Sequence, residues 1–122
     1  MHYAALQLLG LRDENQLPFQ NGVLSPQRLN NRELGLKKYR AISVNKVHGN
    51  EESIAKIIQR TDPEVESMEG AAFFYACGMV QLPCLQLRAI SNYVEKRNRP
   101  AWQIESSLKN LAVELAAYLK KV

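Results

Sequence analysis

The chain has 122 residues, of which 46% are hydrophobic and 23% are charged, and its formal net charge is +4. This composition is typical of one globular domain with an apolar core, and no run approaches the roughly 18 apolar residues that span a bilayer. The basic residues are scattered and lack the interleaved aromatic side chains of a nucleic-acid surface, so we expect neither a nucleic-acid nor a membrane partner.

The N-terminal segment and the cysteines indicate the compartment. The first residues have no basic region and no small-residue cleavage site, which argues against a signal peptide. Cys77 and Cys84 lie in apolar stretches and form no disulfide framework. We interpret them as free thiols in a reducing environment, which predicts a cytoplasmic protein.

The first 40 residues show little regular pattern. An apolar segment of uncertain type covers residues 3–11, and residues 12–40 are rich in Asn, Gln, Pro, Gly and charge. The pair Asn21-Gly22, flanked by apolar residues, predicts a tight turn in a loop or small hairpin. So long an irregular stretch is typical of functional loops or of a segment that lacks its structural neighbour.

Regular structure begins near residue 41. Residues 41–47 alternate and are rich in β-branched side chains, which predicts a strand. Asn50 is then placed as the N-cap of a helix over residues 51–59. The first turn of that helix carries two glutamates, which the helix dipole favours there.

A strand over residues 64–68, a helix over 69–80 and a strand over 84–91 come next. At this spacing they predict a βαβ unit with parallel strands and a right-handed crossover. The helix has almost no polar face, so it must be buried on nearly all sides or covered by a partner chain.

A polar loop over residues 92–100 precedes the last predicted element, an amphipathic helix over residues 101–122 with apolar residues at i, i+3 and i+4 spacing. The order of elements predicts the α/β fold class. It also predicts a single domain over residues 1–122, irregular and rich in loops up to residue 40, with a βαβαβα core over residues 41–122.

Polar side chains follow the predicted strands where ligands bind in open α/β sheets, outside the carboxyl ends. The three strand ends are "VNKVHG", "SMEG" and "ISNY". The last two belong to one βαβ unit. We therefore expect Met68, Glu69, Ser91 and Asn92 to converge on one crevice.

Three of these side chains have both a binding and a structural interpretation. The carboxylate of Glu69 suits two neighbouring ribose hydroxyls, but at a helix N-terminus it is often only a partner of the dipole. The thioether of Met68 suits a sugar face or a flat base, but methionine is more often core filler. The amide of Asn92 matches N7 and the 6-oxo group of a purine, but Asn after a strand is commonly a turn residue.

The sequence contains no pattern typical of a metal site, a phosphate-binding loop or a catalytic triad. No cluster of His, Cys and Asp has metal-ligand spacing, and no glycine-rich phosphate loop is present. No Ser-His-Asp set can be assembled from position alone. We therefore expect no metal and no other cofactor.

The segments "VNKVHG", "ESMEGAA" and "RAISNYVE" resemble motifs of the nucleoside phosphorylase and nucleosidase superfamily. Within it they are similar to the futalosine hydrolase family, and the likeness covers about residues 15–120. The resemblance implies the C-terminal portion of a three-layer α/β/α nucleoside phosphorylase-like fold with a mixed sheet, so that residues 1–122 form a partial domain.

The resemblance also implies roles for individual residues. Glu69 would hold the ribose 2′- and 3′-hydroxyls, Met68 would line the ribose face, and Lys46 and Val47 match the segment that packs on the base. Asn92 would act in catalysis by hydrogen-bonding the departing base. Methylthioadenosine nucleosidases carry Asp there, whereas Asn fits a 6-oxopurine such as hypoxanthine.

The implied activity is an N-ribosyl hydrolase that releases hypoxanthine from futalosine in menaquinone biosynthesis. The bond would break through an oxocarbenium-like state, with a stabilised leaving group and an activated water. Alternatives are a purine nucleoside phosphorylase and a non-catalytic nucleoside-binding remnant.

Members of the superfamily are longer than this chain, and their N-terminal half supplies the first strands and the acid that activates water. We therefore expect a truncated C-terminal part or a remnant, and no hydrolase activity from the 122 residues alone. An incomplete sheet would leave an exposed edge and bare apolar helix faces, which predicts a homo-oligomer.

Overall fold

The computed structural model describes residues 2–3, 17–26 and 35–120. The described regular elements are strands β1 (His2–Tyr3), β2 (Ala41–Ser43) and β3 (Val65–Ser67), helices α1 (Glu51–Thr61), α2 (Gly70–Met79) and α3 (Ile104–Leu119), and a 3₁₀ turn at Arg99–Ala101. The alternation of strands and helices confirms the α/β class. In the part of the chain that is described, no helix is both long enough and apolar enough to cross a bilayer.

The chain divides into two compact units. The first comprises Met1–Val47 and Ala55–Leu85, and the second comprises His48–Ile54 and Gln86–Val122. The expectation of one partial domain over residues 1–122 stays a prediction.

The sheet of the first unit has the strand order β1-β2-β3, and both pairings are parallel. Ser43 and Ser67 are register partners at the ends of β2 and β3, and the N–H of Val44 donates to the carbonyl of Ser67 at 2.9 Å. The strand expected over residues 41–47 therefore ends at Ser43. The resemblance implied a mixed sheet, whereas the three strands among the described residues are parallel.

Strand β1 lies at the start of the apolar segment whose type the sequence left open. It pairs with β2 through His2 and Tyr3. Residues 4–16, which include most of that segment and the beginning of the loop-rich stretch, lie outside the described part.

The strand predicted over residues 84–91 is wrong, because this stretch has no ladder partner within the described residues. A β-strand needs a neighbour for its backbone groups. The last carbonyls of the stretch bind elsewhere in the second unit: Ile90 accepts from the hydroxyl of Ser107 at 2.8 Å, and Ser91 accepts from the N–H of Gln103 at 2.7 Å. The parallel strands that flank a helix are therefore β2 and β3, with α1 between them in the chain.

Helix α1 begins where its capping chemistry predicted. The side chain of Asn50 accepts a hydrogen bond from the backbone N–H of Ser53 at 2.8 Å, which confirms Asn50 as the N-cap. The helix runs to Thr61, two residues beyond the predicted end, and Asp62 follows with a φ of +43°.

The Asn21-Gly22 turn is confirmed. Both residues have positive φ, 49° and 72°, as a two-residue type I′ hairpin requires. Gln20 and Val23 exchange two backbone hydrogen bonds of 3.0 and 2.9 Å across it. The turn brings Phe19 and Leu24 together with Ala71 in a buried cluster against which Phe74 and Tyr75 pack, so the hairpin covers one side of α2.

Away from the hairpin, the side chains of α2 are more exposed to solvent than its apolar composition predicted. Only Gly70, Ala71 and Cys77 are buried, whereas the side chain of Phe73 is 44% exposed and that of Met79 is 54% exposed. Burial on nearly all sides is therefore wrong for the described residues. Coverage by a partner chain, the other predicted possibility, stays a prediction.

Helix α3 confirms the C-terminal helix. It runs over Ile104–Leu119, shorter than the predicted 101–122, and Glu105 pairs with Lys109 at 2.9 Å on its surface. Its large apolar side chains are mostly exposed: Ile104, Leu108, Val113, Leu115 and Leu119. In the second unit the helix therefore presents an apolar surface to its surroundings.

The packing of the hairpin on α2 depends on a glycine. A Cβ placed on Gly78 would lie 2.7 Å from Cβ and 3.1 Å from Cγ of the rigid Pro18 ring. We expect Gly78→Ala to lower the free energy of unfolding by about 1–2 kcal/mol, since overpacking outweighs the about 1 kcal/mol that alanine gains in a helix. Urea unfolding followed by circular dichroism measures the change.

A second variant tests whether the contact with Pro18 causes this loss of stability. In a Pro18→Gly chain the ring is absent, and Gly78→Ala should then be neutral or stabilising. Equal destabilisation in both backgrounds would contradict the contact with Pro18.

Candidate functional site

The ends of β2 and β3 lie side by side at one edge of the sheet. Lys46 and Val47 follow the end of β2, and Met68 and Glu69 follow the end of β3. The side chains of all four are exposed. In the first unit, four of the six predicted site residues therefore leave the sheet from the same edge, where a ligand of an open parallel sheet is expected.

Glu69 occupies the N-cap position of α2 but does not cap the helix with its side chain. Its backbone has a φ of −113° and a ψ of −15°, and no side-chain capping hydrogen bond forms. The exposed carboxylate makes no hydrogen bond or ion pair with any residue that the structure describes. Its oxygens therefore remain available as acceptors, while its position still benefits from the helix dipole.

A serine of another strand replaces the missing cap. The backbone N–H of Ala71, in the first turn of α2, donates to Oγ of Ser43 at 2.7 Å. Ser43 is buried at the end of β2 and stands 28 positions earlier in the sequence. Neither residue carries a local sequence signal for this contact, so reasoning from the sequence missed Ser43.

Met68 does not behave as core filler. Its side chain is 50% exposed at the end of β3, while the neighbouring Ser67 is buried. The alternation of the short strand thus directs Ser67 inward and leaves the thioether accessible. This exposure agrees with a ligand-facing methionine.

Ser91 and Asn92 form a local hydrogen-bonded turn in the second unit. Oγ of Ser91 donates to Oδ1 of Asn92 at 2.7 Å, and Nδ2 of Asn92 donates to the carbonyl of Tyr93 at 2.9 Å. These contacts show the turn role that the sequence also allowed. A side-chain amide has two donors and two acceptor positions, so one of each remains for a ligand.

The turn at Ser91 and Asn92 is hydrogen-bonded to the residue that precedes α3. The carbonyl of Ser91 accepts from the N–H of Gln103, the residue before α3 begins. In the same unit, the N–H of Arg97 donates to the carbonyl of Gly49 at 3.3 Å. The loop after "ISNY" is thereby joined to the "HG" that ends the first motif.

The predicted site residues are distributed between the units. Lys46, Val47, Met68 and Glu69 belong to the first unit, and Ser91 and Asn92 belong to the second. The convergence of Met68, Glu69, Ser91 and Asn92 on one crevice stays a prediction.

The two cysteines lie close together in the first unit but do not form a reactive centre. Burial raises the pKa of the Cys84 thiol from 9.0 to about 11, and a hydrogen bond with the Cys77 thiol acts in the same direction. A thiol with so high a pKa is a poor nucleophile at neutral pH. Among the described residues, no group of three or more His, Cys, Asp or Glu side chains is placed to hold a metal ion.

The raised pKa predicts slow alkylation of Cys84 in the folded chain. Near pH 8 its thiolate fraction should be about 100-fold lower than that of the unfolded thiol, and the rate should rise as the pH increases through about 11. Mass spectrometry of iodoacetamide-labelled peptides, with and without urea, measures the ratio. A Cys84→Ser chain isolates the signal of Cys77, and equal native and unfolded rates at Cys84 would contradict the raised pKa.

The sequence is similar to known proteins. Residues 35–122 match the family model described as Phosphorylase superfamily. Futalosine hydrolase from Thermus thermophilus is 31% identical over 110 residues, which cover 90% of this chain and 48% of that protein. The chain thus spans about half the length of the curated relative that it matches. No solved structure matches it.

Proposed function

The chain belongs to the phosphorylase superfamily, and from this membership we propose that it carries the nucleoside-binding part of a futalosine-hydrolase-type nucleosidase. The observation that carries the proposal concerns the carboxylate of Glu69, directly after the end of β3. This carboxylate is exposed and does not cap helix α2. It stands in the motif "ESMEGAA", which resembles the futalosine hydrolase pattern, and Ser43 satisfies the helix donor that a cap would otherwise take.

In this proposal Glu69 holds the ribose. A carboxylate accepts hydrogen bonds from the 2′- and 3′-hydroxyls at once, and bonds to a charged acceptor are stronger than those between neutral groups. The half-exposed thioether of Met68 packs against the apolar face of the sugar. The two residues follow each other directly, so the start of α2 sets the position of both.

The base is assigned to the segment "ISNY". The free donor of the Asn92 amide serves O6 of hypoxanthine, its free acceptor serves N7 once the departing base carries a proton there, and Ser91 orients that amide through the 2.7 Å hydrogen bond. Lys46 and Val47, exposed after β2, pack on the base. Hydrogen bonds to the departing purine stabilise the charge that develops on it as the glycosidic bond breaks.

The reaction is hydrolysis of an N-ribosyl bond, with water adding to the anomeric carbon of an oxocarbenium-like ribosyl group. We assign no described residue to water activation. Because the chain spans about half the length of its relative, we propose nucleoside binding for the 122 residues and hydrolysis of futalosine, in menaquinone biosynthesis, for a polypeptide of the relative's length.

Phosphorolysis is the second candidate, because the matching family model is that of the phosphorylases. The two reactions share the ribose and base contacts and differ in the nucleophile. Hypoxanthine release from futalosine that requires phosphate would favour the phosphorylase, and release without phosphate would favour the nucleosidase. Binding without release from a polypeptide of full length would favour a non-catalytic nucleoside-binding protein.

Removing the proposed ribose acceptor should weaken nucleoside binding. We expect Glu69→Ala to reduce the affinity for inosine by about ten- to a hundredfold, since a hydrogen bond to a charged group contributes about 1.5–3 kcal/mol. Isothermal titration calorimetry on the 122-residue chain measures it. Glu114→Ala, which removes an exposed carboxylate from α3, is the matched control and should leave binding unchanged.

Two results would count against the proposal. Equal inosine affinity in the Glu69→Ala and unaltered chains would remove Glu69 from the site. No inosine binding by the unaltered chain would remove the proposed nucleoside-binding function.

We also propose that the chain self-associates. Burying the exposed apolar side chains of α3 in an interface removes them from water, which is favourable. We expect light scattering at about tens of micromolar to give a mass above 13.9 kDa. Leu108→Glu should shift the mass toward the monomer, since Leu108 is 60% exposed on the apolar surface. Asn110→Glu adds the same charge at an exposed polar position and should not; a monomeric unaltered chain would refute the association.

A further inference from the structure

Two buried hydroxyls meet where the sheet ends. Ser43 and Ser67 are register partners on β2 and β3, and their side chains are 6% and 9% exposed. Their Oγ atoms lie 3.5 Å apart. A pair of polar side chains this deeply buried is retained at a cost unless its hydrogen bonds are made.

The hydrogen bonds connect both strands to the helix. The hydroxyl of Ser67 donates to the carbonyl of Ile42 at 3.4 Å, and either hydroxyl of the Ser43–Ser67 pair can donate to the other. The oxygen of Ser43 in turn accepts the N–H of Ala71 at 2.7 Å. The shortest of these contacts is therefore the one that reaches helix α2.

The segment Met68–Gly70 is held at both sides by the end of β2. Before it, the carbonyl of Ser67 accepts from the N–H of Val44 at 2.9 Å. After it, the N–H of Ala71 donates to Ser43. Glu69 lies between the two anchors, and its own side chain takes part in neither.

From these two hydrogen bonds, and resting on the function proposed above, we propose that Ser43 is a positioning residue. It places Glu69 for recognition of the ribose hydroxyls of a ribonucleoside. Its hydroxyl performs the capping that an N-terminal acidic residue commonly performs. It thereby leaves the Glu69 carboxylate to the ligand and holds the backbone that carries it. The hydroxyl of Ser67, whose oxygen lies 3.5 Å from that of Ser43, supports the same arrangement.

Ser43 could be a helix cap that only adds stability or a residue that positions Glu69, and the two roles predict different ligand affinities after its substitution. Loss of a structural cap lowers stability and leaves the relative affinities for related ligands unchanged in the folded fraction. Loss of positioning lowers the preference for a ribonucleoside over its 2′-deoxy analogue, because that preference depends on where the Glu69 oxygens lie. Affinity for the free base does not depend on those oxygens.

The experiment measures three ligands by calorimetry on the 122-residue chain: inosine, 2′-deoxyinosine and hypoxanthine. We expect Ser43→Ala to lower the preference for inosine over 2′-deoxyinosine by about tenfold, since small displacements of a binding group have large effects. Hypoxanthine affinity should not change. Ser43→Thr keeps the hydroxyl and should restore the preference.

A matched control and a second variant separate folding from positioning. Ser106→Ala removes a hydroxyl from the first turn of α3, where it donates to the carbonyl of Gln103, and should leave the preference unchanged. Should Ser43→Ala fail to fold by circular dichroism, Ser67→Ala takes its place. It keeps the Ala71 bond but removes the hydroxyl that lies 3.5 Å from that of Ser43, and should lower the preference by about two- to threefold.

The outcomes distinguish this inference from the function on which it rests. If Glu69→Ala loses the preference for inosine while Ser43→Ala and Ser67→Ala keep it, the positioning role is overturned and the proposed function stands. If the unaltered chain does not bind inosine, or Glu69→Ala keeps the preference, the proposed function fails and this inference with it. Loss of the preference in Ser43→Ala with recovery in Ser43→Thr supports both.

Discussion

The hydrogen bond from Ala71 to Ser43 is the constraint on which the arrangement of the candidate site depends. The first backbone N–H groups of a helix have no partner within the helix, and a buried one must find an acceptor elsewhere. In α2 the residue at the N-cap supplies none, so the acceptor comes from the neighbouring strand. This joins the sheet edge to the helix start and leaves the carboxylate of Glu69 exposed between them.

Two of the described helices carry exposed apolar surfaces with the same physical consequence. Helix α2 is covered on one side by the hairpin residues Phe19 and Leu24, and its remaining apolar side chains are largely exposed, as are those of α3. Side chains of this kind are ordinarily buried, because contact with water is unfavourable. Covering them with another segment or chain would therefore be favourable, which is the physical basis of the proposed self-association.

Predictions that rested on local chemistry agree with the structure, and those that needed a distant partner agree less well. Asn21-Gly22 forms its turn and Asn50 caps α1 because each depends on residues a few positions away. The stretch 84–91 has a strand-like composition, yet a strand exists only if another strand pairs with it. Here the carbonyls of Ile90 and Ser91 bind the start of α3 instead.

The sequence by itself determined the α/β class, the start of α1, the superfamily and the placement of Met68 and Glu69 directly after a strand, since local patterns and motifs carry this information. Only the tertiary structure decided that Ser43, and not Glu69, accepts the N–H of Ala71 in the first turn of α2. It also decided that Met68 is half exposed and that residues 84–91 are not a strand. The physical reason is that hydrogen-bond partners and burial depend on residues brought together from distant positions, such as the 28 that separate Ser43 from Ala71.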